Sequence, residues 1–352
     1  MRNHESLWVR TRLGVAAAVC ITLLTAQAWA SGQQAHELSQ TICNRLNVND
    51  YQLVDLDLPA DGAASIITPI TLDGTEFTLV LDRHSVRSPD FRLMVPGPDG
   101  DMVEVEPPPV RTYQGGLAEV PESRAAATLL HGQIEALIAA DGTVWGVQPL
   151  TDVMPEADPR THVVYRQSDN RPIAGVCGTD LLDPIDGQEQ GYKDATDSGG
   201  GYGTRDTCPM TCEIAFDADV EFYQRNGSSV SATQTDIENV LNSMEVIYNR
   251  DTDIVYDLTT TLVRTSEPDP YTATDAGTLL NEFRSEWNNH QGSIHRDVAH
   301  LMTGKNLDGS VIGVAWLAVI CNSSNGYGLS QSRFTSNMTN RVGLTAHEVG
   351  HN

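Results

Sequence analysis

The stretch Gly343-Leu344-Thr345-Ala346-His347-Glu348-Val349-Gly350-His351-Asn352 contains the pattern H-E-x-x-H. Residues four apart share one face of a helix, so a helix here turns the imidazoles of His347 and His351 toward one point and sets Glu348 beside it. Neutral imidazole nitrogens suit zinc (Zn2+), which takes nitrogen and sulfur ligands in tetrahedral geometry. The metal brings the pKa of a bound water toward neutrality, and a carboxylate that is not a ligand can accept the proton as that water attacks a peptide carbonyl. The spacing therefore predicts a zinc helix with His347 and His351 as metal ligands and Glu348 as general base. The bland alternative is a surface helix with two solvated histidines. Apolar Leu344 and small Ala346 and Gly350 favour a buried helix.

Upstream of that helix the pattern alternates α and β. Ile214, Phe216, Ala218, Val220 and Phe222 are apolar at period two and predict one half-buried strand. Ile237, Val240, Leu241, Met244 and Ile247 recur at helical spacing behind a cap expected at Ser231 or Thr233, and a second helix is expected from Asp275 to Trp287. Further strands are expected at Ile254–Val263, Asp297–Met302 and Val311–Ile320. The fold class expected for 208–352 is α/β (α+β) with a mixed twisted sheet. Residues 31–180 read instead as a β-rich unit, with strands at 50–58, 76–81, 110–113, 131–138 and 143–148 broken by turns such as Asp73-Gly74 and Asp141-Gly142. Between the two, 181–207 is rich in Gly and Asp and reads as an acidic linker. Its glycine cluster lacks the Lys-Ser/Thr of a phosphate loop.

Length and charge narrow the partners. The 352 residues are enough for two cores, and 22 Lys+Arg against 47 Asp+Glu give a net charge of −25, with Lys193 and Lys305 the only lysines. Such a chain cannot neutralise a phosphate backbone, which excludes nucleic acid as a partner. Arg2, Arg10 and Arg12 precede an uncharged run from Leu13 to Thr25 that ends in Ala28-Trp29-Ala30, the form of an export signal cut after Ala30. An uncleaved anchor is the alternative; no other apolar run approaches the roughly 20 residues of a membrane span. The chain is expected to be secreted, to the exterior or the periplasm. Loss of 1–30 leaves Cys43, Cys177, Cys208, Cys212 and Cys321, an odd number, so one is free, metal-bound or paired outside the chain. His290, His295 and His300, spaced by five, fall on different faces of a helix or strand and make a poor metal set.

Three stretches together resemble the reprolysin (adamalysin, ADAM-type) branch of the metzincin zinc peptidases. His347-Glu348-Val349-Gly350-His351-Asn352 is similar to the opening of H-E-x-G-H-N-x-G-x-x-H-D. Arg296–Gly304 followed by Gly309-Ser310-Val311-Ile312-Gly313-Val314-Ala315-Trp316 and Cys321 resembles the family's strand pair beside the active-site cleft, whose edge can bind a substrate's main chain. Tyr113–Gly116, Ala125–Leu130 and Gly142–Leu150 are similar to reprolysin propeptides.

The resemblance implies a zincin catalytic domain acting on protein or peptide substrates and an inhibitory prodomain as its own partner. It makes Cys177-Gly178 a cysteine switch, the thiolate taking the fourth zinc position; a structural disulfide, with Cys43 for example, is the alternative. It also implies a structural calcium (Ca2+) held in part by Glu213 and Asp297, against a reading as ordinary surface carboxylates. The family pattern continues to a third His six residues after His351 and a Met-turn, which makes the chain as written a fragment expected to be inactive for want of its third zinc ligand. Two rivals remain: a zincin of another clan with Glu as third ligand, and a non-catalytic secreted binding protein on a zincin scaffold.

Overall fold

A computed structural model describes residues 36–182 and 210–352. The expected export signal, all but the first two residues of the expected linker, and Cys20 and Cys208 lie outside the described residues.

Helix α1 (36–46) is followed by strands β1 (Gln52–Asp55), β2 (Ser65–Leu72), β3 (Thr75–Arg83), β4 (Arg87–Pro96), β5 (Met102–Val105), β6 (Thr112–Leu117), β7 (Val120–Leu130), β8 (Gln133–Ala140), β9 (Thr143–Pro149), β10 (Thr161–Arg166) and the two-residue β11 (Val176–Cys177). The C-terminal part runs β12 (Met210–Ala218), α2 (Val220–Arg225), α3 (Val230–Thr252), β13 (Ile254–Val263), α4 (Ala276–His290), β14 (Val298–Met302), β15 (Val311–Ala315), β16 (Tyr327–Ser330) and α5 (Met338–His351). These form two eight-stranded sheets, ordered β1-β10-β9-β8-β7-β6-β3-β2 and β11-β15-β16-β14-β12-β13-β4-β5. The first is antiparallel throughout. The second is mixed, its central strands β13, β12, β14 and β16 being parallel neighbours.

The sheets do not divide where the sequence changes texture. Strands β4 and β5 leave the N-terminal sheet and extend the C-terminal one, β4 running parallel to β13 with Thr260 opposite Arg92 and Leu262 opposite Met94. Met94 packs into the same apolar cluster as Leu262, Tyr271 and Phe283. The sequence reading placed 31–180 in one separate unit; a parallel edge partner more than 150 residues away leaves no local signature in the chain.

Helix α3 lies between the sheets, and every residue from Thr233 to Val246 is buried. Its Ile237, Val240, Leu241 and Met244 join one cluster with Val86, Ala126, Leu137 and Ala139 of the N-terminal segment and Ile214 and Phe216 of β12. Its polar residues must therefore find partners inside the protein. Asn242 donates to the carbonyls of Tyr113 and Ala127, both at 3.2 Å, and Thr128 donates to Asn239 at 2.8 Å. Gln114 donates to Glu245 at 2.8 Å, and Arg87 pairs with Glu238. On the opposite face of the second sheet α4 buries Leu279, Leu280, Phe283 and Trp287, as its spacing predicts.

Two strand expectations are corrected. The period-two run ends at Ala218, because Asp219 caps a helix there, its carboxylate accepting from Phe222 N at 2.7 Å. Val220 and Phe222 are buried from a helix rather than from the strand. The strand expected at Val311–Ile320 stops at Ala315, beyond which Ala318 N and Val319 N are taken by the carbonyls of His351 and Asn352. The first long helix starts behind Ser229 rather than Ser231 or Thr233.

The three histidines spaced by five go to separate places. His290 meets Glu286, His295 meets Glu213, and His300 is fully buried with Nε2 2.8 Å from Ser330 Oγ. Burial drives the His300 pKa from 6.5 down to about 3. An unfolded chain binds this proton below about 6.5 and the folded one does not until about 3, so the contribution is intact above 6.5 and is lost as pH falls through that window. The expected slope is about 1.4 kcal/mol per pH unit. Denaturant midpoints of wild type and His300→Gln between about pH 6 and pH 4.5 test it: the wild type falls more steeply, and parallel slopes mean the folded imidazole is charged.

Candidate metal centre

Helix α5 begins at Asn337, whose side chain accepts from Asn340 N at 3.0 Å, and it buries Val342, Leu344, Thr345, Glu348 and Val349. It is fixed from three sides. Tyr248 of α3 donates to the Ala346 carbonyl at 2.7 Å. Arg341 reaches Asp236 of α3 at 2.8 Å. Asn352 donates to the carbonyls of Trp316 and Tyr327 at 2.9 and 3.2 Å, closing the helix end onto the β15–β16 connection.

On the remaining face His347 Nε2 and His351 Nε2 are 3.0 Å apart, and Cys177 Sγ is 3.3 Å from His351 Nε2. One ligand atom from each of the three lies within 4.8 Å of the other two. Tetrahedral zinc, with N and S ligands at about 2.0–2.3 Å, sets ligand atoms some 3.3–3.6 Å from one another. The donor set and its spacing thus fit zinc. His347 is exposed and His351 half-buried, and an open cleft of about 710 Å³ runs past them, lined also by Thr179, Asp180, Leu317 and Ala318.

Glu348 is fully buried beside this triad. Its Oε2 accepts from the Cys177 thiol at 3.4 Å and its Oε1 has no partner. Burial pushes its pKa up to about 7, against a smaller lowering by the Cys177 hydrogen bond. Burial also raises the Cys177 thiol, which Thr179 pulls back and the Glu348 charge raises further. Burial, then the neighbouring His347, lowers His351.

Cys177 arrives on β11, which adds to the free edge of β15 in parallel, Val176 opposite Val311 and Cys177 opposite Gly313. Gly178 N donates to the Gly313 carbonyl at 2.8 Å. Two residues the sequence reading assigned no role help build the site. Thr179 N donates to Cys177 Sγ at 3.5 Å, and Thr179 Oγ1, 3.1 Å from the same sulfur, donates to the Ala315 carbonyl at 3.0 Å, holding the thiol against β15. Gly313 makes room for Glu348, since a Cβ there would stand 2.5 Å from Oε1. Its only signal was a place in the Gly309–Trp316 stretch that carries the family resemblance, which says nothing of what the glycine faces.

Glu213 and Asp297 are neighbours, Glu213 N donating to Asp297 Oδ2 at 2.9 Å. Their carboxylates meet His295 and the Cys321 thiol. They form no group of metal-binding spacing; among the described residues the carboxylates that do are Glu221, Glu267 and Asp269, with Lys305 already paired to Glu221. Cys43, Cys177, Cys212 and Cys321 all have free thiols, so the alternative of a Cys43–Cys177 disulfide is not formed.

An H-E-x-x-H helix packed against a mixed sheet, its histidines turned to an open cleft, is the arrangement of a metallopeptidase. Residues 209–352 match the profile of Metallo-peptidase family M12 (Reprolysin_5), which supports a reprolysin-type metzincin in that part of the chain. It is 22% identical over 310 residues to Disintegrin and metalloproteinase domain-containing protein 18 of Homo sapiens, covering 84% of this chain and 39% of that protein. It is 28% identical over 148 residues to a zinc metalloproteinase/disintegrin of Bitis gabonica, covering 41% of this chain and 44% of that protein. The chain thus spans about two fifths of the length of these relatives. A solved chain described as "Structure of a chaperone-substrate complex" superposes with a TM-score of 0.33 at 18% identity, over 41% of this chain and 24% of that one, too loosely to bear on the fold. Among the described residues no helix is long and apolar enough to cross a membrane.

Proposed function

We propose that the chain is the latent precursor of a secreted zinc metalloendopeptidase, with an export signal at 1–30, an inhibitory unit at 31–180, a processed linker at 181–207 and a zincin-type catalytic domain at 208–352. The observation that carries this is the meeting of Cys177 with His347 and His351 at ligand spacing, although Cys177 and His351 are 174 residues apart. Zinc held by His347 and His351 supplies Lewis acidity and lowers the pKa of water at an open coordination position. Cys177 fills that position in the latent form. The raised thiol pKa does not argue against this, because a dication beside the sulfur reverses its sign and couples ligation to proton release.

Glu348, against Gly313 and behind Cys177, is placed to take a proton at its carboxylate once the thiol leaves and to return it to the departing amine. Strand β11 lies along the β15 edge, where an extended substrate would add its own main chain. The proposal extends no calcium role to Glu213 and Asp297, whose carboxylates are engaged elsewhere.

Metal binding tests the reading directly. The chain should bind one zinc equivalent, with His347→Ala or His351→Ala weakening it by about a hundredfold or more. Cobalt substituted for zinc should show a thiolate charge-transfer band that disappears in Cys177→Ala. A chain that binds no metal, or a band unchanged by Cys177→Ala, removes the basis of the proposal. Gly313→Ala offers a further check in the complete protein: zinc should stay bound while displacement of Glu348 lowers kcat by about a hundredfold. An unaltered kcat would mean that the carboxylate does not act from this position.

A further inference from the structure

We infer that Tyr248 is a positioning residue for the metal centre: from α3 its hydroxyl fixes the turn of α5 that joins His347 to His351, and it stands where a side chain at Gly350 would begin. The inference rests on the proposed function in taking the two histidines as zinc ligands.

Among the described residues neither imidazole has a hydrogen-bond partner outside the cluster of His347, His351 and Cys177. A metal-binding histidine is ordinarily aimed by a second partner on its other ring nitrogen. Here the direction of both rings is left to the backbone that carries them, so whatever holds that backbone sets the distance between the ligand atoms.

Tyr248 holds it at one point. Its hydroxyl donates to the Ala346 carbonyl at 2.7 Å. The helical pattern gives the same carbonyl the Gly350 N–H, so two donors converge on it. Ala346 immediately precedes one histidine and Gly350 the other. A Cβ at Gly350 would stand 2.8 Å from the Tyr248 hydroxyl, well inside the roughly 3.5–4.0 Å of ordinary contact. The ring packs against the apolar cluster of α3 and β12 and meets Tyr256 edge to face, centroids 5.4 Å apart. A ring that moved aside would give up both that contact and its bond to Ala346. Gly343 of the same helix offers the contrast, since a Cβ there would meet nothing within 4 Å. Alanine favours a helix over glycine wherever there is room. Gly343 leaves that gain open, and Gly350 forgoes it for the hydroxyl.

The experiment uses the full chain, first without metal. Urea midpoints are compared for wild type, Gly343→Ala, Gly350→Ala, Tyr248→Phe and the double variant Tyr248→Phe with Gly350→Ala. Gly343→Ala should raise the midpoint and Gly350→Ala lower it. In the Tyr248→Phe background Gly350→Ala should instead raise it, a reversal that residues out of contact do not show. A Gly350→Ala that stabilises as Gly343→Ala does, or one equally harmful in both backgrounds, overturns the inference. With metal, Tyr248→Phe should weaken zinc binding by about tenfold and shift the visible bands of bound cobalt, while Gly343→Ala alters neither. Unchanged affinity and bands in Tyr248→Phe would make the tyrosine a packing residue only, which overturns the positioning role and leaves the zinc reading intact. A wild type that binds neither zinc nor cobalt fails the zinc reading and this role together.

Discussion

Replacing Glu348 with glutamine is expected to lower peptide hydrolysis by about three orders of magnitude, within the range that a lost general base produces. The amide matches the carboxylate in shape and fits the same space against Gly313, but it cannot accept a proton. Zinc affinity should hardly change, because in the proposed site the metal ligands are His347 and His351. The useful measurement is kcat in the complete protein with Cys177→Ala, where the thiol no longer covers the site, alongside metal content. A variant that keeps most of its turnover would transfer the base to another group, and one that loses its zinc would make Glu348 a ligand.

The second large effect is expected from Asp236→Ala. Burial works to raise this carboxyl, but the Arg333 and Arg341 guanidiniums hold it below the usual carboxylate range. Arg341 is itself only 2% exposed and sits on α5, so removing Asp236 leaves a buried positive charge without its counterion inside the helix that carries His347 and His351. Breaking a buried pair from one side typically costs about 3–5 kcal/mol. Urea unfolding at neutral pH should show a loss of that order, and Asp236→Asn, which keeps a hydrogen-bond acceptor, should lose less. A loss under about 1 kcal/mol would mean that water replaces the carboxylate at Arg341.

What the sequence disclosed follows from the range of the interactions concerned. The meeting of His347 and His351 on one face of α5 was legible because a helix maps i and i+4 onto one face whatever surrounds it. The bounds of β13 and the apolar stripes of α3 and α4 were legible for the same local reason. Alternation misled at Val220 and Phe222, where one Asp219 side chain decides between strand and helix by capping. Strands β2, β7 and β10 escaped notice, β7 because its alanines at 125–127 have weak strand preference and are held by neighbours on both sides. The joining of Cys177 to the two histidines was available only through the family resemblance, since nothing near residue 177 announces a partner at 351. The sequence carries the glycosylation pattern N-x-Ser/Thr at Asn226, Asn322 and Asn337, which local reading cannot rank; the fold buries Asn226 and Asn337 in hydrogen bonds and leaves Asn322, of the three, at the surface.

The pairing of β4 with β13 also bears on the order in which a ribosome can deliver this protein. Strands β1 to β3 and β6 to β10 can close their sheet as soon as about half the chain has emerged, since all of their partners lie before Gln167. The β4–β5 hairpin then waits, with Leu93 and Met94 uncovered, until β13 is synthesised more than 150 residues later. Contacts of such long sequence separation form slowly, and an uncovered strand edge invites pairing with other chains in the interval. Chaperones that shield extended apolar strands should therefore raise the yield of this protein more than they raise that of its N-terminal sheet alone.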